Sequence, residues 1–171
     1  MDRDWSKSHN GIMLCTFEQT RELMPEVMPM LDELIPHLEH DVDEYVVDVK
    51  IHMLMPGEYP CIPNWHLDFV PRDKDRKKIP SQITGDKMYL WVSGAPYTEF
   101  KKDPVRVETG EFTWAEFTQR DLHRGVKSEI HTWRCFIRVI PKKFIHLGTL
   151  NVGTIRRHTQ VYIEEPDLFR W

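Results

Sequence analysis

Apolar and polar positions alternate most cleanly between Tyr45 and Met55. Tyr45, Val47, Val49, Ile51, Met53 and Met55 fall on one face of an extended chain, and Val46, Asp48, Lys50 and His52 make up most of the other. This is the clearest strand in the sequence, and Pro56-Gly57 ends it with a turn signal. Pro60, Pro63 and Pro71 keep the following stretch extended and loop-like. Before the strand, from Phe17 to His40, the period is different. Leu23, Val27, Met30, Leu31, Leu34, Ile35 and Leu38 recur at spacings near three and four, which predicts an apolar helical face. Pro25, Pro29 and Pro36 forbid one long straight helix, so two short helices or one kinked helix are expected, with the methionines covering a core.

Further short runs of strand type occur at Lys87 to Val92, Val105 to Thr109, Thr132 to Ile140, Phe144 to Leu150 and His158 to Ile163, separated by Gly, Pro, Asn or Asp. One helical segment followed by many short strands predicts a mainly β sandwich or barrel with a helical layer. At 171 residues, with no internal repeat and no low-complexity linker, the chain is expected to form a single domain. Asp167 to Trp171 reads as a tail or a docking segment.

Composition narrows the class without naming a function. No apolar run reaches the roughly 18 residues of a membrane-spanning helix, and Met1 to Asn10 are too polar for a secretory leader, so a cytoplasmic setting is expected. Cys15, Cys61 and Cys135 are odd in number and far apart, which argues against a disulfide framework and against a thiolate zinc site. The net charge of −4 is unevenly spread: Asp32 to Asp48 is acidic, whereas Arg72, Lys74, Arg76, Lys77 and Lys78 form a basic run. Such a run is ordinarily a solvated loop. Interrupted by Asp73 and Asp75, it does not establish nucleic-acid binding, although it hints at a phosphate-bearing or nucleotide-like substrate.

The candidate chemistry lies in Pro63-Asn64-Trp65-His66-Leu67-Asp68-Phe69. On an extended chain His66 and Asp68 point the same way and approach one cation from one side. A third ligand from a distant strand would complete a site of two imidazoles and one carboxylate, which leaves three positions open on Fe(II). His123 is the favoured third ligand and His131 its rival. Downstream, Arg134 and Arg138 share a face of an otherwise apolar strand. Buried guanidinium groups need anionic partners, and a carboxylate-bearing ligand would serve. No GxSxG or comparable Cys-His pattern supports a nucleophilic hydrolase.

His-x-Asp, a long interval, a distal His and an Arg some ten residues later together resemble the Fe(II)/2-oxoglutarate-dependent dioxygenases. The resemblance implies a jelly roll, or double-stranded β-helix, with the metal inside one end of the barrel. It implies His66, Asp68 and His123 as metal ligands and Arg134, assisted by Arg138, as the holder of the distal carboxylate of 2-oxoglutarate. It also implies the strand bearing Tyr89 as a lining of the co-substrate pocket. The chain is short for that family, and about thirty residues with strand-like patterning follow Arg138; these would add strands to a sheet edge or build a homodimer interface. Two other readings use the same residues: a non-catalytic cupin-like protein that sequesters a small anionic ligand, and a metal-dependent cupin isomerase or hydrolase.

Overall fold

The computed structural model describes residues 11–102, 105–108, 113–145, 154–156 and 161–163. The period-two segment forms β2 (Tyr45–Leu54), and the strand carrying the two arginines forms β8 (Thr132–Pro141). They pair antiparallel over their whole length, with Asp48 opposite Arg138, Lys50 opposite Phe136 and His52 opposite Arg134. Around this pair stand β1 (Gly11–Cys15), β3 (Met88–Ser93), β6 (Trp114–Phe117) and β9 (Thr154–Arg156), in the order β6-β3-β8-β2-β1-β9. A smaller sheet has the order β5-β4-β7, from β4 (Thr98–Lys102), β5 (Val105–Glu108) and β7 (His123–Gly125). All the strand pairs are antiparallel, and the two sheets form a β-sandwich.

The prolines divide the helical segment as expected. Helix α1 (Phe17–Leu23) starts at a capping box in which Thr16 Oγ1 accepts from the Gln19 amide and Gln19 Oε1 from the Thr16 amide. A 3-10 turn at Pro25–Val27 leads into α2 (Met28–Leu34), with Pro29 in its first turn, where a missing N–H costs nothing. Met24, Val27, Met28, Leu31 and Leu34 pack on the outer face of the large sheet against Val47, Val49, Trp91, Ile137 and Val139. None of these helices is long and apolar enough to cross a membrane.

The opposite face of the large sheet looks toward the small one. Between them lies a second core of Val46, Leu90, Val92, Phe100, Phe117, Phe136 and Ile140. The polar side chains of β2 and β8 share this inner face, so Asp48, His52 and Arg134 are about 1% exposed. Residues 146–150, 157–160 and 164–171 lie outside the described set, and with them most of the strand expected at Phe144 to Leu150, His146, His158 and the Asp167 to Trp171 segment. Within the set, β9 extends the large sheet beside β1, and Tyr162 exchanges both backbone hydrogen bonds with Tyr59.

One glycine fixes how closely the proline-rich run approaches the small sheet. A Cβ at Gly125 would stand 2.6 Å from the carbonyl oxygen of Cys61. Gly125→Ala is therefore expected to cost about 1–3 kcal/mol by overpacking. Gly85→Ala, where an added Cβ meets nothing within 4 Å, should stay within about 0.5 kcal/mol of wild type. Urea unfolding of both variants checks this, and equal midpoints would refute the close approach.

Candidate metal centre

The prolines at 60 and 63 have no N–H to give, so the run after β2 cannot make a continuous ladder. It is instead held at intervals along the β7 edge. The Gly57 amide donates to Ser128 O, the Ser128 amide to Glu58 O and the Gly125 amide to Ile62 O. At the far end His66 and His123 exchange both backbone hydrogen bonds, each 3.0 Å. Two histidines that are distant in sequence thus become direct cross-strand neighbours, with ring centroids 4.4 Å apart. Phe100 and Phe117 pack against the His123 ring from the sandwich interior, each 5.4 Å away between centroids.

Asp68 completes the group. His123 Nε2 lies 3.5 Å from Asp68 Oδ2, and His66 Nε2 lies 3.9 Å from Asp68 Oδ1. One donor atom from each residue falls within 4.8 Å of the others, a cluster able to hold a metal ion. The other nitrogen of each ring faces a backbone carbonyl two residues back: His66 Nδ1 lies 2.8 Å from Asn64 O, and His123 Nδ1 lies 3.1 Å from Asp121 O. Protonated at Nδ1, both imidazoles hold their Nε2 lone pairs toward the carboxylate, the outer-shell arrangement that orients metal-bound histidines. Burial, reinforced by the neighbouring His123, pushes the pKa of His66 below its ordinary value, so protons compete poorly for that nitrogen at neutral pH. The donors thus fit a divalent cation that accepts nitrogen and oxygen ligands.

Arg138 supports the carboxylate from the large sheet. Its Nη1 donates to Asp68 Oδ2 at 2.5 Å and its Nη2 to Asp48 Oδ2 at 3.1 Å, and Phe69 and Phe136 rings flank the guanidinium. Burial acts to raise the Asp68 pKa, but Arg138 and then the two histidines outweigh it and hold the carboxyl well below the usual range. Arg138 is likewise stabilised in its charged form, its burial being outweighed by Asp68 and Asp48.

His66, Asp68, His123 and Arg138 line a cavity of about 120 Å³ between the sheets. One water requires roughly 10–15 Å³ on this measure, so there is space for a small organic acid. Lys50, Thr98 and Cys61 contribute the remaining polar wall, with Leu90, Phe117 and Phe136 as the apolar one, and Tyr162 at the segment paired with Tyr59. Arg134 is not part of the wall. It is buried behind it, with Nε donating to Pro96 O at 2.9 Å and Nη2 to Thr98 Oγ1 at 3.3 Å, and burial lowers its pKa to about 10.

The expected pocket role of Tyr89 is corrected. Tyr89 lies on the helix-facing side of β3, in the outer core, with its hydroxyl donating to His37 O at 3.3 Å. The inward residue of that strand is Leu90, opposite Arg138 in the β3–β8 register. His131 is exposed at the start of β8 and outside the cluster. The basic run forms a hairpin closed by an Arg72–Lys78 bridge, in which Asp73 Oδ1 accepts from the Asp75 and Lys77 amides, and it does not line the cavity. Sequence reasoning did not single out Asp48, Lys50 or Thr98 as site residues. The inward parity of Asp48 and Lys50 on β2 was the available signal, while nothing local marks Thr98.

Because the third nitrogen belongs to His123, His123→Ala should abolish stoichiometric binding of Mn(II) or Fe(II) and His131→Ala should leave it unchanged. Anaerobic calorimetric titration of the two variants decides between the histidines, and metal retained by His123→Ala would move the site elsewhere.

Among solved structures, the chain is similar to a prolyl 4-hydroxylase from Phytophthora capsici, with a TM-score of 0.44 and 13% sequence identity over 77% of this chain and 47% of that one. The chain thus spans just under half the length of that protein. No family model matches the chain, and no curated protein matches it either.

Proposed function

We propose that the protein is an Fe(II)- and 2-oxoglutarate-dependent oxygenase built on a jelly roll. The observation that carries this reading is the His66, Asp68 and His123 cluster, with both imidazoles tied back at Nδ1, opening into a cavity that also presents cations. Two neutral nitrogens and one carboxylate on one side of a cation leave room for a chelating co-substrate and O2 on the other. The path of the chain supports the jelly roll. It runs from β2 in the large sheet to the 57–66 run beside the small one, back to β3, across to β4 and β5, and then through β6, β7 and β8 alternately. Eight segments distributed in this way over two antiparallel sheets fit a double Greek key.

Charge points to the same co-substrate. Asp48 and Asp68 offset Arg138 and Lys50, so a divalent cation would leave an excess of two positive charges, which Arg134 behind Thr98 increases. A dicarboxylate dianion fits that excess. Bound Fe(II) would supply O2 activation, with the 2-oxo acid oxidised to succinate and CO2 while one oxygen atom enters a C–H bond of the substrate. The residues of the chain have defined tasks in this scheme. His66 and His123 supply neutral donors, and Asp68 gives one oxygen to the metal while Arg138 holds the other. Leu90, Phe117 and Phe136 keep the cavity wall apolar.

Anaerobic addition of Fe(II) and then 2-oxoglutarate should produce the weak visible charge-transfer band of the chelated 2-oxo acid. Admission of air should give slow succinate formation even without the true substrate. If the iron-loaded protein shows neither signal, the oxygenase reading fails. Spectral binding without succinate would favour a protein that only holds the ligand.

A further inference from the structure

The inner face of the large sheet can be read as a series of rows along β2, β8 and β3. Arg138 stands opposite Asp48 and Leu90, and two residues along Phe136 stands opposite Lys50 and Val92. A further two along, Arg134 stands opposite His52. Residues two apart on a strand are separated by about 6.5–7 Å. The cavity reaches from the Arg138 row to the Phe136 row, taking in Lys50 and Phe136 but not Arg134 or His52. The metal cluster adjoins the first row through Asp68 and Arg138. An extended five-carbon diacid separates its carboxyl carbons by about 5 Å on ordinary bond lengths. Chelated at the first row, it places its far carboxylate near the second.

The three cations on this face are not equivalent there. Arg138 already spans Asp68 and Asp48. Arg134 is directed to Pro96 O and Thr98 Oγ1, one row too far and behind the wall. Lys50 is in the wall itself, with its ammonium over the Phe136 ring at 5.1 Å from the centroid. Across the cavity from the other sheet comes Thr98, whose hydroxyl oxygen accepts from Arg134 and so presents its hydrogen as a donor.

We propose that Lys50, together with Thr98, is the specificity-determining anchor for the distal carboxylate of a dicarboxylate ligand, with Arg134 acting through Thr98. This rests on the oxygenase reading for the position of the near carboxylate. It departs from the sequence-level expectation that Arg134 holds the far one. A lysine at the second row selects for a second carboxylate at a fixed distance from the metal. A 2-oxo acid of the same length that ends in a methyl group has nothing to offer it.

The test compares 2-oxoglutarate with 2-oxovalerate, which has the same five-carbon chain without the second carboxylate. Binding to the Mn(II)-loaded full chain is followed by anaerobic calorimetry. Wild type should prefer the diacid. Lys50→Met should weaken 2-oxoglutarate about ten- to a hundredfold, the scale of one charge-assisted hydrogen bond, while leaving 2-oxovalerate and Mn(II) affinities in place. Lys50→Arg should recover part of the loss. A merely structural role would weaken both acids together, and that outcome overturns the proposal. So does an unchanged diacid preference in Lys50→Met accompanied by its loss in Arg134→Met, which would return the role to the arginine. Binding of neither acid by wild type, with Mn(II) bound, refutes the 2-oxoglutarate reading itself. Binding of both with equal affinity leaves chelation standing and refutes the anchor alone.

Discussion

A guanidinium in the middle of a β-sandwich constrains everything around it. Removed from water, Arg138 is costly unless its donors meet anionic oxygens. The fold provides two: Asp48 from the neighbouring strand of the same sheet and Asp68 from the segment beside the opposite one. The ion pair with Asp48 follows from the β2–β8 register, since a slip by one residue would turn Asp48 out to the helix layer. The ion pair with Asp68 ties the two sheets together at the point where the metal cluster sits. One cation between two carboxylates leaves a net negative charge, which suits a site for a divalent ion. The same contact that satisfies Arg138 therefore turns Asp68 toward the two histidines.

Much of this was legible in the sequence because it depends on parity. Alternation over Tyr45 to Met55 placed Asp48, Lys50 and His52 on one face, and the spacing of Arg134 and Arg138 placed them on another. The i and i+2 relation of His66 and Asp68 anticipated a shared direction, and the cluster forms with His123 as favoured. Composition and proline placement similarly anticipated a helical layer split in two over a mainly β body.

What was not legible has physical causes that can be named. Strand β1 escapes a period-two reading because the β1–β2 register shifts between Ile12 and Cys15, so both side chains join the helix-side core although they are three apart. Strands β4, β6 and β7 are only three to five residues long, too short for alternation to stand out from chance. Tyr89 and Leu90 present both parities of one strand, and nothing within the strand says which face meets the second sheet. That is decided by the β3–β8 pairing, a long-range contact. The place of Arg134 was missed for the same reason, since one strand face holds residues both in a cavity and beyond it.

The small-sheet side of the centre has a different logic from the large-sheet side. There, rigidity comes from a ten-residue strand pair in full register. Here, the 57–66 run contains two prolines and is attached by a few separated backbone hydrogen bonds, two of them between the metal-site histidines themselves. Tight approach at Gly125 and Cys61 compensates for the missing ladder, because it fixes the distance between the run and β7 just before His66 and His123 meet. Metal binding would then stabilise more than a local cluster. Its ligands come from two chain segments that the backbone joins only loosely, so a shared cation acts as the cross-link that a continuous strand would otherwise provide. The open edge of that run is where Tyr59 pairs with Tyr162, which brings a residue from near the end of the chain into the cavity wall. The segment that controls metal geometry thus also carries the contact through which a distant part of the sequence reaches the site.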